Sequence, residues 1–228
     1  MSDIASNIRL LKQQIPQSVK LVAVSKTRPA NDILEAYNTG LKYFGENRVQ
    51  ELLSKKDLLP PDIEWHLIGH LQTNKVKYVV TFISMIQSVD TFRLLKTINS
   101  EAHKIGRIVD CLLQIHIAEE ETKFGFNMAE IDEMVRSVEF SELKYIRICG
   151  VMGMATFTDD SLQVQKEFRY LADCFNDLKR NYFKDSEFFR EISMGMSGDY
   201  MTAIREGTTM IRIGSLIFGE RSKQNKPA

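Results

Sequence analysis

Leu21-Val22-Ala23-Val24-Ser25-Lys26, running on into Thr27-Arg28-Pro29, decides how the rest of the chain is read. Small and apolar residues, valines among them, predict a buried strand. Side chains alternate along a strand, so Lys26 shares a face with Val22 and Val24. If those valines point inward, the ammonium is carried into the interior mouth of the fold. Pro29 suits the first turn of a helix starting near Ala30. A strand that ends in an inward lysine and then turns into a helix is a place for a Schiff-base amine. The alternative is a lysine that marks the strand end and snorkels to water.

Outward from this strand, strand and helix patterns alternate with little between them. An N-terminal helix over residues 1–17 is predicted from Ile4, Ile8, Leu11 and Ile15. Strands are expected at 21–26, 42–45, 64–69, 85–89, 111–117, 145–152, 191–196 and 210–213. Each is followed by helix-like sequence, the longest an amphipathic stretch at 162–182 with Val164, Phe168, Leu171, Phe175 and Leu178 on one stripe. Asp90 is the expected N-cap of the helix after the fourth strand. Eight βα units in 228 residues, without a Gly-, Ser- or Pro-rich linker, predict a single (β/α)8 TIM-type barrel. A doubly wound open sheet is the alternative, but no GxGxxG follows the first strand.

Composition narrows the function classes. Thirty Lys and Arg balance thirty Asp and Glu, with no long single-sign block, so nothing marks a nucleic-acid or anionic-membrane surface. The longest uncharged stretch, from Tyr78 to Val89, has twelve residues, whereas a membrane span needs about 20. The N-terminus lacks a signal pattern. Cys111, Cys149 and Cys174 are widely spaced without a CxxC, and no histidine pair has ligand spacing. A cytoplasmic, metal-free protein is expected. No large exposed apolar stripe is visible, so a monomer is expected.

In such a barrel the active end is the C-terminal rim of the strands. Lys26 ends strand one, Glu46 and Asn47 follow strand two, and His70 follows strand three. Gly195-Met196-Ser197-Gly198-Asp199 precedes a short helix and reads as an anion cradle or as an ordinary helix cap. Gly214-Ser215 offers a second small-residue turn. Arg212 shares its face of strand eight with Gly214, as a site residue or as a structural ion-pair partner. A Schiff-base lysine opposite a phosphate cradle describes a site for pyridoxal phosphate.

Several motifs carry a resemblance: Val24-Ser25-Lys26-Thr27, Phe44-Gly45-Glu46-Asn47, Trp65 through Lys75, Ser193-Met194-Gly195-Met196-Ser197, Ile211-Arg212-Ile213-Gly214 and Phe218-Gly219-Glu220-Arg221. In this order, over essentially the whole chain, they resemble the pyridoxal phosphate homeostasis protein family. The resemblance implies one barrel domain over residues 1–228, related to the N-terminal domain of alanine racemase, with a flexible tail at 222–228. It implies pyridoxal 5′-phosphate held as an internal aldimine on Lys26 and a role in vitamin B6 and amino-acid homeostasis, with no settled catalytic activity. Ser197, Gly214 and Ser215 would hold the phosphate, and Arg212 would face the pyridine nitrogen. Asn47 and residues 152–154 would line the pocket. PLP-dependent apo-enzymes are the implied candidate partners.

One departure is that Gly198 follows Ser197 where many relatives carry a bulkier residue, which leaves Asp199 as helix cap and loosens the loop. A racemase using the same lysine, and a cofactor-free barrel aldolase or isomerase, are the rival readings. Only fourteen residues follow Gly214, so no second domain is expected to supply an opposing base, and no appreciable racemase activity is expected. His66 and His116 are expected to be packed within strands three and five, and Glu119-Glu120-Glu121 to be a solvated loop. The methionines at 152, 154, 194, 196 and 201 are expected to fill gaps in the barrel or site walls.

Overall fold

The computed structural model describes residues 3–119 and 124–220. Eight parallel strands close in sequence order into a barrel: β1 Lys20–Val24, β2 Tyr43–Glu46, β3 Glu64–Leu67, β4 Met85–Val89, β5 Val109–Gln114, β6 Ile146–Met152, β7 Glu191–Ser193 and β8 Met210–Ile213. β1 pairs with β8, Val22 standing opposite Arg212, and this pairing closes the ring. The chain therefore forms the (β/α)8 fold expected of it.

Around the strands run α1 Ile4–Gln14, α2 Ala30–Asn38, α3 Val49–Lys56, α4 Val76–Val79, α5 Phe92–His103, α6 Met128–Arg136, α7 Val138–Ser141, α8 Ser161–Asn181, α9 Tyr200–Arg205 and α10 Ser215–Phe218. The N-terminal helix α1 starts at Asp3, whose carboxylate accepts from Ser6 N at 2.9 Å. Its Ile4, Ile8 and Leu11 are buried, each such side chain contributing about 1.5–3 kcal/mol gross. α8 buries Val164, Phe168, Leu171 and Leu178 as expected, with Cys174 beside them and Phe175 half-buried. The apolar residues form an outer layer between strands and helices and a smaller cluster inside the barrel, made of Val22, Met85, Leu112, Cys149, Met152 and Met210. Among the described residues no helix is long and apolar enough to cross a membrane.

Several boundaries differ from expectation. β1, β3, β5 and β7 end before residues 26, 69, 117 and 196, because a strand persists only while its neighbours pair with it; Lys26 thus lies in the turn after β1 and not in the strand. Ile115 keeps one isolated bridge to Phe126, so His116 lies beyond β5, its N–H donating to Phe126 O at 3.0 Å. Asp90 does not cap α5. Thr91 does, its hydroxyl accepting from Leu94 N at 3.2 Å, while the Asp90 carboxylate turns to His70. The helix expected at 129–138 breaks at Ser137, whose extended backbone lets its hydroxyl cap α7. Glu120, Glu121, Arg221 and the expected tail at 222–228 lie outside the described residues.

Candidate functional site

The site is built from the βα loops at the C-terminal rim. Lys26 follows β1 in a tight turn closed by Arg28 N donating to Ser25 O at 3.0 Å, and it is half-buried. Arg212 lies on β8 with its side chain inside the barrel mouth, 4% exposed, because alternation puts it on the face that Val22 shares. Its Nη1 donates to Ser193 Oγ at 2.6 Å and its Nη2 to Gly153 O at 2.9 Å. Burial lowers the Arg212 guanidinium to about 10, with the Asp199 carboxylate opposing that shift. It stays charged at neutral pH.

Loops seven and eight supply small residues beside this cation. Gly195, at φ +94, lets the chain turn tightly under α9, since a Cβ there would stand 2.6 Å from Ala203 Cβ. Ser197 and Gly198 follow, and Gly198 faces open space with an ordinary φ. The looser residue at 198 is therefore tolerated by the loop, not demanded by it. Asp199 does not cap α9 with its side chain; its carboxylate accepts from Met196 N at 2.5 Å and so ties the loop to itself. After β8, Gly214 packs against β1, where a Cβ would meet Val24 O at 3.3 Å.

Lys26, Asn47, Ser197, Arg212, Gly214 and Ser215 all line one cavity of about 490 Å³. That volume lies in the range of small-molecule sites, about 300–1,000 Å³. An amine, a buried guanidinium and two small-residue turns fit an aromatic aldehyde phosphate. Met154 also lines the cavity, whereas Met152 is buried inside the barrel and Gly153 contributes only its carbonyl, to Arg212. Met196 is a site wall and Met194 is core, but Met201 is 45% exposed at the surface and fills no gap.

Two expected rim residues go elsewhere. Glu46 is fully buried at the end of β2, outside the cavity. His70 lies in a wider groove of about 890 Å³, its Nδ1 2.6 Å from Asp90 Oδ2 and its ring stacked on Phe124. Carboxylates from Asp90, Glu130, Glu133 and Glu139 outnumber the cations of Arg93 and Lys96 in that groove and disfavour a phosphate there. Sequence reasoning missed Arg28 and Phe157, which line the site cavity. Arg28 donates to the Gly219 and Glu220 carbonyls and so ties loop one to the segment after α10. Neither residue carries a local signal, since tertiary closure alone brings it to the rim.

The family model described as alanine racemase, N-terminal domain, matches residues 1–222. A pyridoxal phosphate homeostasis protein of Aquifex aeolicus is 41% identical over 89% of this chain and 87% of its own length. One from Schizosaccharomyces pombe is 35% identical over 100% of this chain and 97% of its own. The structure of PipY from Synechococcus elongatus with PLP bound superposes with a TM-score of 0.86 at 35% identity, covering 95% of this chain and 100% of PipY. By fold, motif order and full-length similarity, the chain belongs to the pyridoxal phosphate homeostasis protein family, within the larger group of barrels related to the N-terminal domain of alanine racemase.

Proposed function

We propose that this protein binds pyridoxal 5′-phosphate at the C-terminal rim of the barrel and serves cytoplasmic vitamin B6 and amino-acid homeostasis as a cofactor keeper. The observation that carries the reading is the convergence of one lysine, one buried arginine and two small-residue turns on a single cavity. When bound, the cofactor supplies an electrophilic aldehyde and a ring able to accept electrons. Lys26 would supply the amine for the aldehyde carbon. Ser197 and Ser215 offer hydroxyls, and the Gly214 turn offers backbone N–H groups, to the phosphate. Arg212, held by Ser193 and Gly153, would face the ring nitrogen and disfavour its protonation. Asn47 and Met154 bound the ring.

Lys55 is no rival for the amine role. Its ammonium is already bonded to Ser25 O, Glu46 and Glu51. The mouth is open, with Ser215 exposed and Phe157 98% exposed, which suits exchange of cofactor with PLP-dependent apo-enzymes.

The test is spectroscopic. Protein incubated with pyridoxal phosphate should develop a visible band that borohydride bleaches, with peptide mapping placing the reduced adduct on Lys26. The Lys26→Ala variant should lose the band while keeping its fold and part of its phosphate-dependent binding. A band that survives in Lys26→Ala assigns the linkage to another lysine and overturns this reading.

A further inference from the structure

Thr27, next to Lys26, has φ 66, the only positive φ outside glycine among the described residues. A β-branched residue in the left-handed region costs about 1–3 kcal/mol and persists only where its surroundings over-determine it. The surroundings here are a charged cluster that runs from exposed Thr27 through half-buried Glu51 to buried Lys55 and Glu46. Thr27 N–H donates to Glu51 Oε1, which also accepts from Lys55 Nζ at 2.6 Å. Lys55 Nζ donates further to Glu46 Oε1 and to Ser25 O, both at 2.9 Å. Ser25 Oγ donates to Glu46 Oε1 at 2.6 Å. All three ammonium donors of Lys55 are thus used, and both chain neighbours of Lys26 are bonded to the same cluster.

A purely structural role explains this arrangement poorly. Glu46 is 0% and Lys55 7% exposed, and Glu46 Oε2 has no hydrogen-bond partner. Burying such charges costs several kcal/mol, and an apolar filling would serve packing as well or better. None of the three lines the cavity.

We propose that Glu46, Glu51 and Lys55 are positioning residues: they clamp the chain on both sides of Lys26, hold Thr27 in its strained turn and thereby aim the Lys26 amine into the cavity. The proposal rests on the reading of Lys26 as the carbonyl-capturing amine. In that capture the Nζ lone pair attacks the aldehyde carbon and the carbon–nitrogen bond forms. The amine's two protons leave with the carbonyl oxygen as water, so a C=N bond remains and nothing is oxidised or reduced. A lysine has about 2 kcal/mol of rotamer entropy, so fixing its backbone preorganises the attack.

The experiment separates linkage from binding. Thr27→Gly and Glu51→Ala, which removes the acceptor for Thr27 N–H and Lys55, are made in the full chain, with Glu51→Asp as the conservative partner. Non-covalent affinity is measured with 4′-deoxypyridoxine 5′-phosphate, which has no aldehyde, and linkage by stopped-flow absorbance with pyridoxal phosphate. Both variants should hold the aldehyde-free probe to within about twofold of wild type while the linkage rate falls by about tenfold to a hundredfold. Glu51→Asp should recover part of that rate. Thr27→Gly should melt no lower than wild type, because the strain is relieved, so its slower linkage cannot be assigned to unfolding. Linkage rates equal to wild type in both Thr27→Gly and Glu51→Ala would overturn the clamp. A wild-type protein with no linkage at Lys26 would instead overturn the functional reading itself, an outcome recognisable before any variant is made.

Discussion

A guanidinium at the mouth of a barrel needs partners on its buried side, and here they form a chain. Arg212 donates to Ser193, Ser193 Oγ to Gln87 Oε1 at 2.7 Å, and Gln87 Nε2 lies 2.8 Å from His66 Nδ1. The expected packed and hydrogen-bonded His66 is therefore one end of a polar line through the barrel interior. Burial first, and the charge of Lys20 second, pull His66 from 6.5 down to about 3. The folded protein thus refuses a proton that the unfolded chain accepts between those values. Stability should fall as pH drops from 6.5 towards 3, by up to about 1.4 kcal/mol per pH unit from this residue. His66→Gln should flatten that limb, seen as a smaller loss of urea midpoint between about pH 6.5 and about pH 4.5. At the cavity, Ser197→Ala should weaken pyridoxal phosphate retention by about tenfold or less. A hydrogen bond to a charged group is worth about 1.5–3 kcal/mol, and backbone donors share the load. Equilibrium dialysis showing unchanged retention would remove Ser197 from the site.

Among the elements, β6 shows how a rim is shaped by register. β5 and β6 pair Cys111 with Ile148 and then Leu112 with Gly150, a one-residue shift on the β6 side. Gly150 has φ +149, and a Cβ there would stand 1.8 Å from Glu191 O, so only glycine lets β7 pair alongside. Gly150→Ala should cost about 2–4 kcal/mol and lower Tm by roughly 4–16 °C in calorimetry. Gly198→Ala is the matching control. Its Cβ meets nothing within 4 Å, so Tm should stay within the range of an ordinary surface change, about ±0.5 kcal/mol. Equal losses in the two variants would contradict this account of the shift.

For the whole molecule, the remaining question is catalysis. Racemisation through pyridoxal phosphate removes a proton from one face and returns it on the other, usually with two bases. Among the described residues lining the cavity, Lys26 can serve one face, no histidine, tyrosine or cysteine is present, and the one carboxylate, Asp199, is engaged by Met196 N. In the proposed binding mode Arg212 would stand beside the ring nitrogen and weaken the electron sink, and an open mouth would shield a carbanion poorly. Deuterium wash-in at the α-carbon of alanine and other amino acids, with chiral analysis, should therefore show no appreciable inversion. Turnover near about 1 per second or faster would place the protein among the enzymes.

The sequence by itself determined the eight strand–helix units and the lysine, arginine and small-residue turns of the site. Apolar periodicity is a local property, and the rim of a barrel is a known destination for strand ends. It also placed β4 and β8 to the residue, both being short runs that begin and end on apolar residues and are bounded by polar or glycine neighbours. Only the tertiary structure decided which rim residues meet. It sent His70 to Asp90 and Glu46 to Lys55, joined Arg28 to the chain after α10, and bound Thr27 to Glu51. Those outcomes depend on distances closed across the ring between residues far apart in sequence, and on the desolvation of charges that a linear reading leaves in water.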